Sequence, residues 1–174
     1  CRRHRVPMIP YGVGTSLEGH VNAPFGGFSL DFTRMNRVIA VNELDLDCVV
    51  QPGISRKALN EYVRDKGLFF PVDPGAGTAT LGGMAATRAS GTTTVRYGAM
   101  RENVLGLVAV TGNGDEIHTG TCTTKGVVGY DLTRHPPDGP IPLADILAAT
   151  ELPPADIEKM LAPVVAAGLS LVKF

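Results

Sequence analysis

Tryptophan is absent from this chain of 174 residues, and aromatic residues make up only 6% of it. Cysteine is scarce too: Cys1, Cys48 and Cys122 are an odd number without metal-ligand spacing. This count argues against a disulfide framework and favours a reducing compartment, so we expect a cytoplasmic protein or one peripheral to the inner membrane. No apolar run approaches the roughly 18 residues of a membrane span, and no segment resembles a signal peptide.

An excess of charge is missing as well, because 16 basic residues face 17 acidic ones. A net charge of −1 gives no electrostatic reason to expect nucleic acid or an anionic membrane surface as a partner. The four histidines lie far apart in the sequence without ligand spacing, so we predict no metal site. They are His4, His20, His118 and His135.

What the chain does have is glycine and proline, 21 and 13 residues, together about a fifth of its length. Apolar residues reach 44%, enough for a buried core, so this composition indicates tight turns and close backbone approaches rather than disorder.

The order of periodic segments predicts an α+β fold. Strands are predicted at Val6 to Pro10, Phe28 to Phe32 (half-buried), Arg37 to Val41, Asp47 to Gln51, Val104 to Thr111 and Glu116 to Thr119. The third and fourth are expected to pair antiparallel, and the last two form a hairpin. A helix is predicted from an N-cap at Ser55 to about Lys66 with a stop at Gly67, and a short one over Leu81 to Arg88.

The texture of the sequence changes after Arg134. We expect one domain over residues 1–134, a proline-rich linker over 135–141, and a helical appendage over 142–174. The appendage is similar to the helix-turn-helix half of a winged-helix regulator. Its Lys159 and Lys173 are outnumbered by acidic residues, so DNA binding is not expected.

A first glycine-rich loop runs from Pro10 to Gly19. Gly12 and Gly14 allow positive φ, so successive backbone N–H groups can converge on an anion such as a pyrophosphate, with the hydroxyls of Thr15 and Ser16 as further donors. A purely structural turn is the alternative. The loop matches neither the Rossmann glycine fingerprint nor a P-loop.

A second loop, Pro74 to Gly91, consists almost entirely of very small residues. A packed core avoids such a run because it fills no volume, whereas lining a large flat ligand is a natural use for it. Gly82 and Gly83 would let the backbone lie against a ring. A flexible linker is the alternative, and Leu81, Met84 and Arg88 at near-helical spacing argue against it.

Several segments in order resemble the FAD-binding (PCMH-type) domain of the vanillyl-alcohol-oxidase flavoprotein superfamily, nearest to its D-lactate dehydrogenase and glycolate oxidase branch. They are Pro10 to Gly19, Gln51 to Gly53, Phe69 to Gly75, Leu81 to Gly91, and Arg96 to Val104. The likeness covers about residues 1–134, and the chain reads as a copy truncated at both ends.

The resemblance implies FAD held non-covalently between two α+β subdomains. The cofactor residues it implies are Pro10, Tyr11, Gly12, Gly14, Thr15, Ser16 and Leu17, followed by Pro74, Gly75, Thr80, Leu81, Gly82, Gly83, Ala86, Ser90, Gly91, Thr92 and Gly98. The implied reaction is oxidation of a D-2-hydroxy acid, such as D-lactate, to the 2-oxo acid, with a cytochrome, quinone or flavoprotein as electron acceptor.

The sequence departs from the family pattern at His135, where a third FAD loop and then a substrate-binding cap domain should follow. The cap would carry the catalytic residues, so none is assigned in this chain. The alternative function is a flavin-binding module without turnover, or a degraded fragment, fused to a small regulatory segment.

The loop assignment predicts that replacing Gly14 or Gly82 with valine abolishes flavin retention, because a Cβ is disfavoured at positive φ or against a ring. Absorbance of the purified variants checks this. Variants that stay yellow would show the assignment to be wrong.

Overall fold

The computed structural model describes residues 1–122 and the strand 170–173, and the linker and helices predicted between these two ranges lie outside the described residues. In chain order the strands are β1 (Met8–Tyr11), β2 (Phe28–Asp31), β3 (Val38–Asn42), β4 (Asp47–Val50), β5 (Val104–Val110), β6 (Glu116–Gly120) and β7 (Ser170–Lys173). The α-helices are α1 (Arg56–Val63), α2 (Leu81–Ala86), α3 (Thr94–Tyr97) and α4 (Met100–Asn103). The α+β prediction is confirmed.

The larger sheet has the strand order β3-β4-β7-β5-β6, and all of its neighbouring strands are antiparallel. Its two outer pairs are the two predicted pairings. β3 and β4 pair from Asn42 opposite Asp47, and β5 and β6 pair from Val110 opposite Glu116. Short connections make both pairs local in sequence, which is why alternation and turn residues alone predicted them.

The middle strand of that sheet comes from the segment predicted as a helical appendage. β7 pairs with β4 on one side, with Cys48 opposite Val172, and with β5 on the other, with Val104 opposite Val172. For residues 170–173 the prediction of an appendage is therefore wrong, because they form part of the sheet of the first domain. A pairing across more than 60 residues leaves no local signal in the sequence.

The smaller sheet consists of β1 and β2 in parallel, with Met8 opposite Phe28. β2 was predicted to be half-buried, and this is wrong, since all four of its residues are exposed. Its alternating pattern would serve a strand with one face on a core. In the described residues β2 pairs only with β1, and neither Phe28 nor Leu30 reaches the core cluster.

Helix α1 forms as predicted. The hydroxyl of Ser55 accepts a hydrogen bond from Ala58 N at 3.1 Å, which satisfies a free N–H of the first turn. The helix continues into a 3-10 turn, Arg64–Lys66, and stops at Gly67 with φ +70°. Leu59 and Val63 are buried four residues apart and fix this helix on the core.

The core lies between the larger sheet and helices α1, α2 and α4. Its buried members are Cys48, Val50, Ile54, Leu59, Val63, Phe70, Val72, Ala79, Leu81, Met84, Met100 and Val104. Burial, with the Asp47 carboxylate nearby as a smaller cause, raises the pKa of the Cys48 thiol to about 12. Cys48 is therefore an unreactive packing residue, as expected from its apolar run.

Asn60 on α1 fixes the segment that leads into the second glycine-rich loop. Its Oδ1 accepts from Phe70 N at 2.6 Å, and its Nδ2 donates to Phe70 O at 3.4 Å. The amide side chain thus satisfies both backbone groups of a buried residue that no strand pairs.

Among helices in the described part of the chain, none has the length and apolar character that a bilayer crossing requires.

We predict that deleting residues 170–174 strongly destabilises the domain. β4 and β5 have no hydrogen bonds to each other, so without β7 the larger sheet separates into two hairpins. At about 1 kcal/mol for each lost backbone hydrogen bond, the loss amounts to several kcal/mol. Thermal unfolding followed by circular dichroism measures the effect, with deletion of Phe174 alone as the control. An unchanged melting temperature in the longer deletion would contradict the central position of β7.

Candidate cofactor-binding site

The two glycine-rich loops meet at Gly12 and Thr80. A methyl group placed on Gly12 would lie 2.5 Å from Thr80 Oγ1, which is closer than any real Cβ contact. Thr80 is itself buried, with 3% of its surface exposed. Glycine at position 12 is therefore required for the loops to touch, and the structure brings together two segments separated by nearly 70 residues.

The first loop carries backbone donors that no described residue uses. Within the described residues, no hydrogen bond is donated by the backbone N–H groups from Gly12 to Leu17. Gly14 has φ +66°, and a Cβ there would stand 3.2 Å from the hydroxyl of Tyr11. Consecutive free N–H groups beside a left-handed glycine are the arrangement that binds anions.

The side chains of the first loop are partly occupied among themselves. Ser16 donates its hydroxyl to Glu18 at 2.5 Å, and Ser16 Oγ lies 2.9 Å from His20 Nδ1. The Ser16 hydroxyl lowers the pKa of the Glu18 carboxyl, which is fully exposed. The Ser16 hydroxyl, predicted as an extra donor for an anion, is thus directed to a carboxylate, which leaves the backbone N–H groups and the Thr15 hydroxyl as the predicted donors of this loop.

The backbone N–H groups at the start of α2 are hydrogen-bonded within the protein. Thr80 caps the helix by accepting from Gly83 N at 3.4 Å, while Leu81 N donates to Ile54 O and Gly82 N donates to Pro52 O. A Cβ on Gly82 would lie 2.6 Å from the Pro52 side chain. Gly82 is buried against Pro52, so valine there would disturb packing whether or not a cofactor binds.

The opposite face of α2 is free. Gly83 and Ala86 are exposed, three residues apart, while Leu81 and Met84 point into the core. Residues three apart lie on the same side of a helix. Gly83 and Ala86 contribute only a hydrogen atom and a methyl group, and the neighbouring Thr87 hydroxyl is bonded to Gly83 O, so this face is flat enough to stack against a planar ring.

The two ends of the second loop are held together by Asp73. Its Oδ1 accepts from Thr93 N at 2.9 Å and from Thr93 Oγ1 at 2.7 Å, and its Oδ2 accepts from Thr92 Oγ1. A Cβ on Gly91 would lie 2.1 Å from Asp73 O, so the chain passes directly over this residue. Thr92, predicted as a cofactor residue, thus gives its hydroxyl proton to Asp73.

These hydrogen bonds hold the pKa of the Asp73 carboxyl well below its usual range, with the Thr92 hydroxyl as the largest cause, then Thr93, and with a smaller contribution from the Arg56 guanidinium. Because the folded pKa is lowered, the stabilisation is complete above the ordinary aspartate pKa. It is lost as the pH falls towards the lowered value.

Gly98 ends α3 in a conformation that favours glycine, with φ +80°, and a Cβ there would lie 2.8 Å from the Cβ of Glu102. The Glu102 carboxylate accepts from Ala99 N at 2.8 Å, and buried Asn103 donates to the carbonyls of Tyr97 and Ala99. This turn is rigidly built, and Gly98 is needed for its shape.

The remaining assigned positions of the second loop are open. Within the described residues, a Cβ on Gly75 would meet nothing within 4 Å, and the same holds for its unassigned neighbour Gly77. Ser90 is also exposed. A groove of about 320 Å³ lies along α1, lined by Arg56, Lys57, Asn60, Glu61, Arg64 and Gly77. None of the assigned residues lines this groove, and the exposed ones among them, such as Gly75, Gly83 and Ser90, lie on the surface outside it.

Sequence reasoning missed two contributors to this surface: Asp73, which fastens the second loop, and Pro52, which packs under Gly82. An aspartate before Pro-Gly is a weak signal, and its threonine partners lie about 20 residues away. No local pattern connects them.

Within the described residues no group of three or more His, Cys, Asp or Glu side chains is arranged to hold a metal ion.

Comparison with known proteins identifies the family. Residues 1–120 match the family described as FAD binding domain. The chain is 52% identical over 134 residues to a mitochondrial D-lactate dehydrogenase [cytochrome] of Arabidopsis thaliana, a match covering 77% of this chain and 24% of that protein. It is 42% identical over 135 residues to glycolate oxidase subunit GlcD of Bacillus subtilis, covering 77% and 29%.

A D-2-hydroxyglutarate dehydrogenase of Stutzerimonas stutzeri is 38% identical over 132 residues, covering 75% of this chain and 28% of that protein. This chain therefore spans about a quarter of the length of the curated relatives it matches. Among solved structures, an alkyldihydroxyacetonephosphate synthase superposes with a TM-score of 0.68 at 21% identity, covering 98% of this chain and 27% of that one. At that identity the likeness shows the fold.

Proposed function

This chain belongs to the FAD-binding domain family, and from that premise we propose that it holds FAD without a covalent bond between its two glycine-rich loops. The observation that carries the proposal is the contact of Gly12 with Thr80, which joins the two loops into one surface. The first loop offers anion-binding donors, and the second offers a flat apolar face. A dinucleotide with a pyrophosphate and a planar ring needs both.

Each loop has its own part in binding. The N–H groups from Gly12 to Leu17 would donate to the pyrophosphate oxygens, and backbone dipoles would replace the water that the anion loses. The exposed face at Gly83 and Ala86 would hold the flavin ring system, together with Pro74 and Gly75 of the same loop. Binding therefore draws on backbone groups and small side chains, and none of these residues takes part in proton transfer.

Bound FAD supplies the redox chemistry by accepting two electrons from a substrate and passing them to an acceptor. The substrate class we propose is a D-2-hydroxy acid such as D-lactate, oxidised to the 2-oxo acid. The acceptor class is a cytochrome, a quinone or a partner flavoprotein. The names of the relatives support this choice, since they include a D-lactate dehydrogenase [cytochrome] and a D-2-hydroxyglutarate dehydrogenase.

We propose a reducing compartment for the protein: the cytoplasm, or the periphery of the inner membrane. The three cysteines are free, with Cys1 and Cys122 exposed and Cys48 buried. In an oxidising compartment, exposed thiols tend to be consumed by disulfide formation.

One observation favours the alternative of a flavin-binding module without turnover. The chain matches only about a quarter of each curated relative, so the greater part of their length lies outside the match. If the groups that grip the substrate and take its hydroxyl proton lie in that other part, this chain alone binds FAD and does not oxidise substrate.

We predict that Gly75→Val weakens FAD binding at least about tenfold while leaving the fold intact. The Cβ of the new side chain meets no atom of the described residues within 4 Å beyond its chain neighbours, so the melting temperature without FAD should stay within about 2 °C of the parent value. Flavin fluorescence anisotropy measures the affinity. The chain contains no tryptophan, so protein fluorescence contributes little background to the flavin signal.

Gly77→Val is the matched control, because position 77 is equally open but is not assigned to the cofactor. It should bind FAD with the affinity of the parent chain. Equal loss in both variants would indicate a general effect on the loop, and parent-like affinity in Gly75→Val would remove Gly75 from the site.

We predict that the 134 residues of this chain that match the Arabidopsis D-lactate dehydrogenase can replace their counterpart in that enzyme. The chimera should load FAD and oxidise D-lactate within about tenfold of the parent rate, because the FAD-binding part positions the cofactor and the rest contacts the substrate. Dye reduction with D-lactate, compared with L-lactate as the control, measures it. Full FAD loading without D-lactate oxidation would contradict the proposed reaction and leave FAD binding intact.

A further inference from the structure

We propose that Asp73 is a positioning residue for FAD, acting through Thr92 and Thr93. This inference rests on the proposed FAD-binding function and deepens it. Asp73 directly precedes Pro74 and Gly75 in the sequence, and in space it lies beneath the chain at Gly91, at the other end of the second loop. In this proposal Asp73 does not itself contact the cofactor.

The geometry is that of a clamp, which we define as the Asp73 carboxylate with the hydroxyls of Thr92 and Thr93. Both carboxylate oxygens are used: Oδ1 by the backbone N–H and hydroxyl of Thr93, Oδ2 by the hydroxyl of Thr92. Thr93 Oγ1 also lies within hydrogen-bond distance of Pro71 O. The segment 71–73 and the segment 91–93 are thereby fastened side by side.

The loop between these segments is closed into a ring by the clamp. Further hydrogen bonds continue on the outgoing side, where Gly91 N donates to Thr94 Oγ1 at 2.9 Å and Met100 N donates to Ala89 O at 3.0 Å. The incoming side is anchored on α1 by Asn60. The clamp is the link between the two anchored ends, so it sets the distance from Pro74 and Gly75 to Ser90.

The clamp also decides what Thr92 presents to a ligand. Its single hydroxyl proton is donated to Asp73, so the oxygen has only lone pairs left for the cofactor. Thr92 is exposed, so the loss of its hydroxyl does not open the core. This gives the clamp a partner that can be changed without unfolding the domain.

The test compares Asp73→Asn with Asp65→Asn in the full chain, with FAD as the probe. Asp65 is an exposed aspartate beside Arg64 and lies outside both loops. Asp73→Asn should weaken FAD binding about tenfold or more and change the visible circular dichroism of the bound flavin, which reports the ring's surroundings. Asp65→Asn should change neither. A general loss of stability would lower the melting temperature without altering the dichroism of whatever flavin is bound.

Thr92→Val and Thr92→Ser form the second arm, which also decides the matter if Asp73→Asn does not fold. Serine keeps the donor and should retain parent-like affinity, whereas valine removes it and should weaken binding as Asp73→Asn does. The double variant Asp73→Asn, Thr92→Val should be no weaker than the weaker single variant, because both remove one clamp. Additive losses would mean that Thr92 contacts FAD independently of Asp73.

The outcomes distinguish failure of the positioning role from failure of the proposed FAD-binding function. Parent-like affinity and dichroism in Asp73→Asn, or parent-like affinity in Thr92→Val, would overturn the positioning role while leaving FAD binding in place. Failure of the unaltered chain to bind FAD would overturn the proposed function itself.

Discussion

The architecture depends on one close contact, that of the Gly12 backbone with the side chain of Thr80. No side chain larger than hydrogen fits there, because a Cβ would stand 2.5 Å from the threonine oxygen. Thr80 in turn caps α2 and forms a β-bridge with Ser55, the residue that caps α1. One contact thus connects the first loop to both helices that carry the second loop. A dinucleotide site built from two distant segments requires such a connection.

Contacts from other parts of the protein fix the position of the second loop. Asn60 anchors its beginning, Pro52 and Ile54 bind the first N–H groups of α2, and Asp73 joins its ends. These contacts use the Asp73 carboxylate, the Thr92 hydroxyl and the first N–H groups of α2 for the protein itself. On its exposed side α2 presents the small residues Gly83 and Ala86, which suits a planar ring.

How far the sequence predicts this structure depends on how local each feature is. The Ser55 cap, the Gly67 stop and both antiparallel pairs were predicted correctly, because each is encoded within a few neighbouring residues. The four-residue helices α3 and α4 were missed, since one turn of helix leaves too short a pattern. β7 was missed because its partners lie far away in the chain.

The candidate site divides in the same way. Glycine-rich composition indicated both loops, but it did not distinguish Gly82, which faces Pro52, from Gly83, which faces outward. That difference depends on the packing of α2, which composition does not reveal.

The most direct test of a site shared by both loops is a backbone amide spectrum of the ¹⁵N-labelled chain during titration with FAD. The account predicts that resonances of the first loop, 12–17, and of the second, 83–92, shift together with one dissociation constant, while those of the turn 112–115 stay in place. Shifts confined to one loop, or none at all, would contradict it.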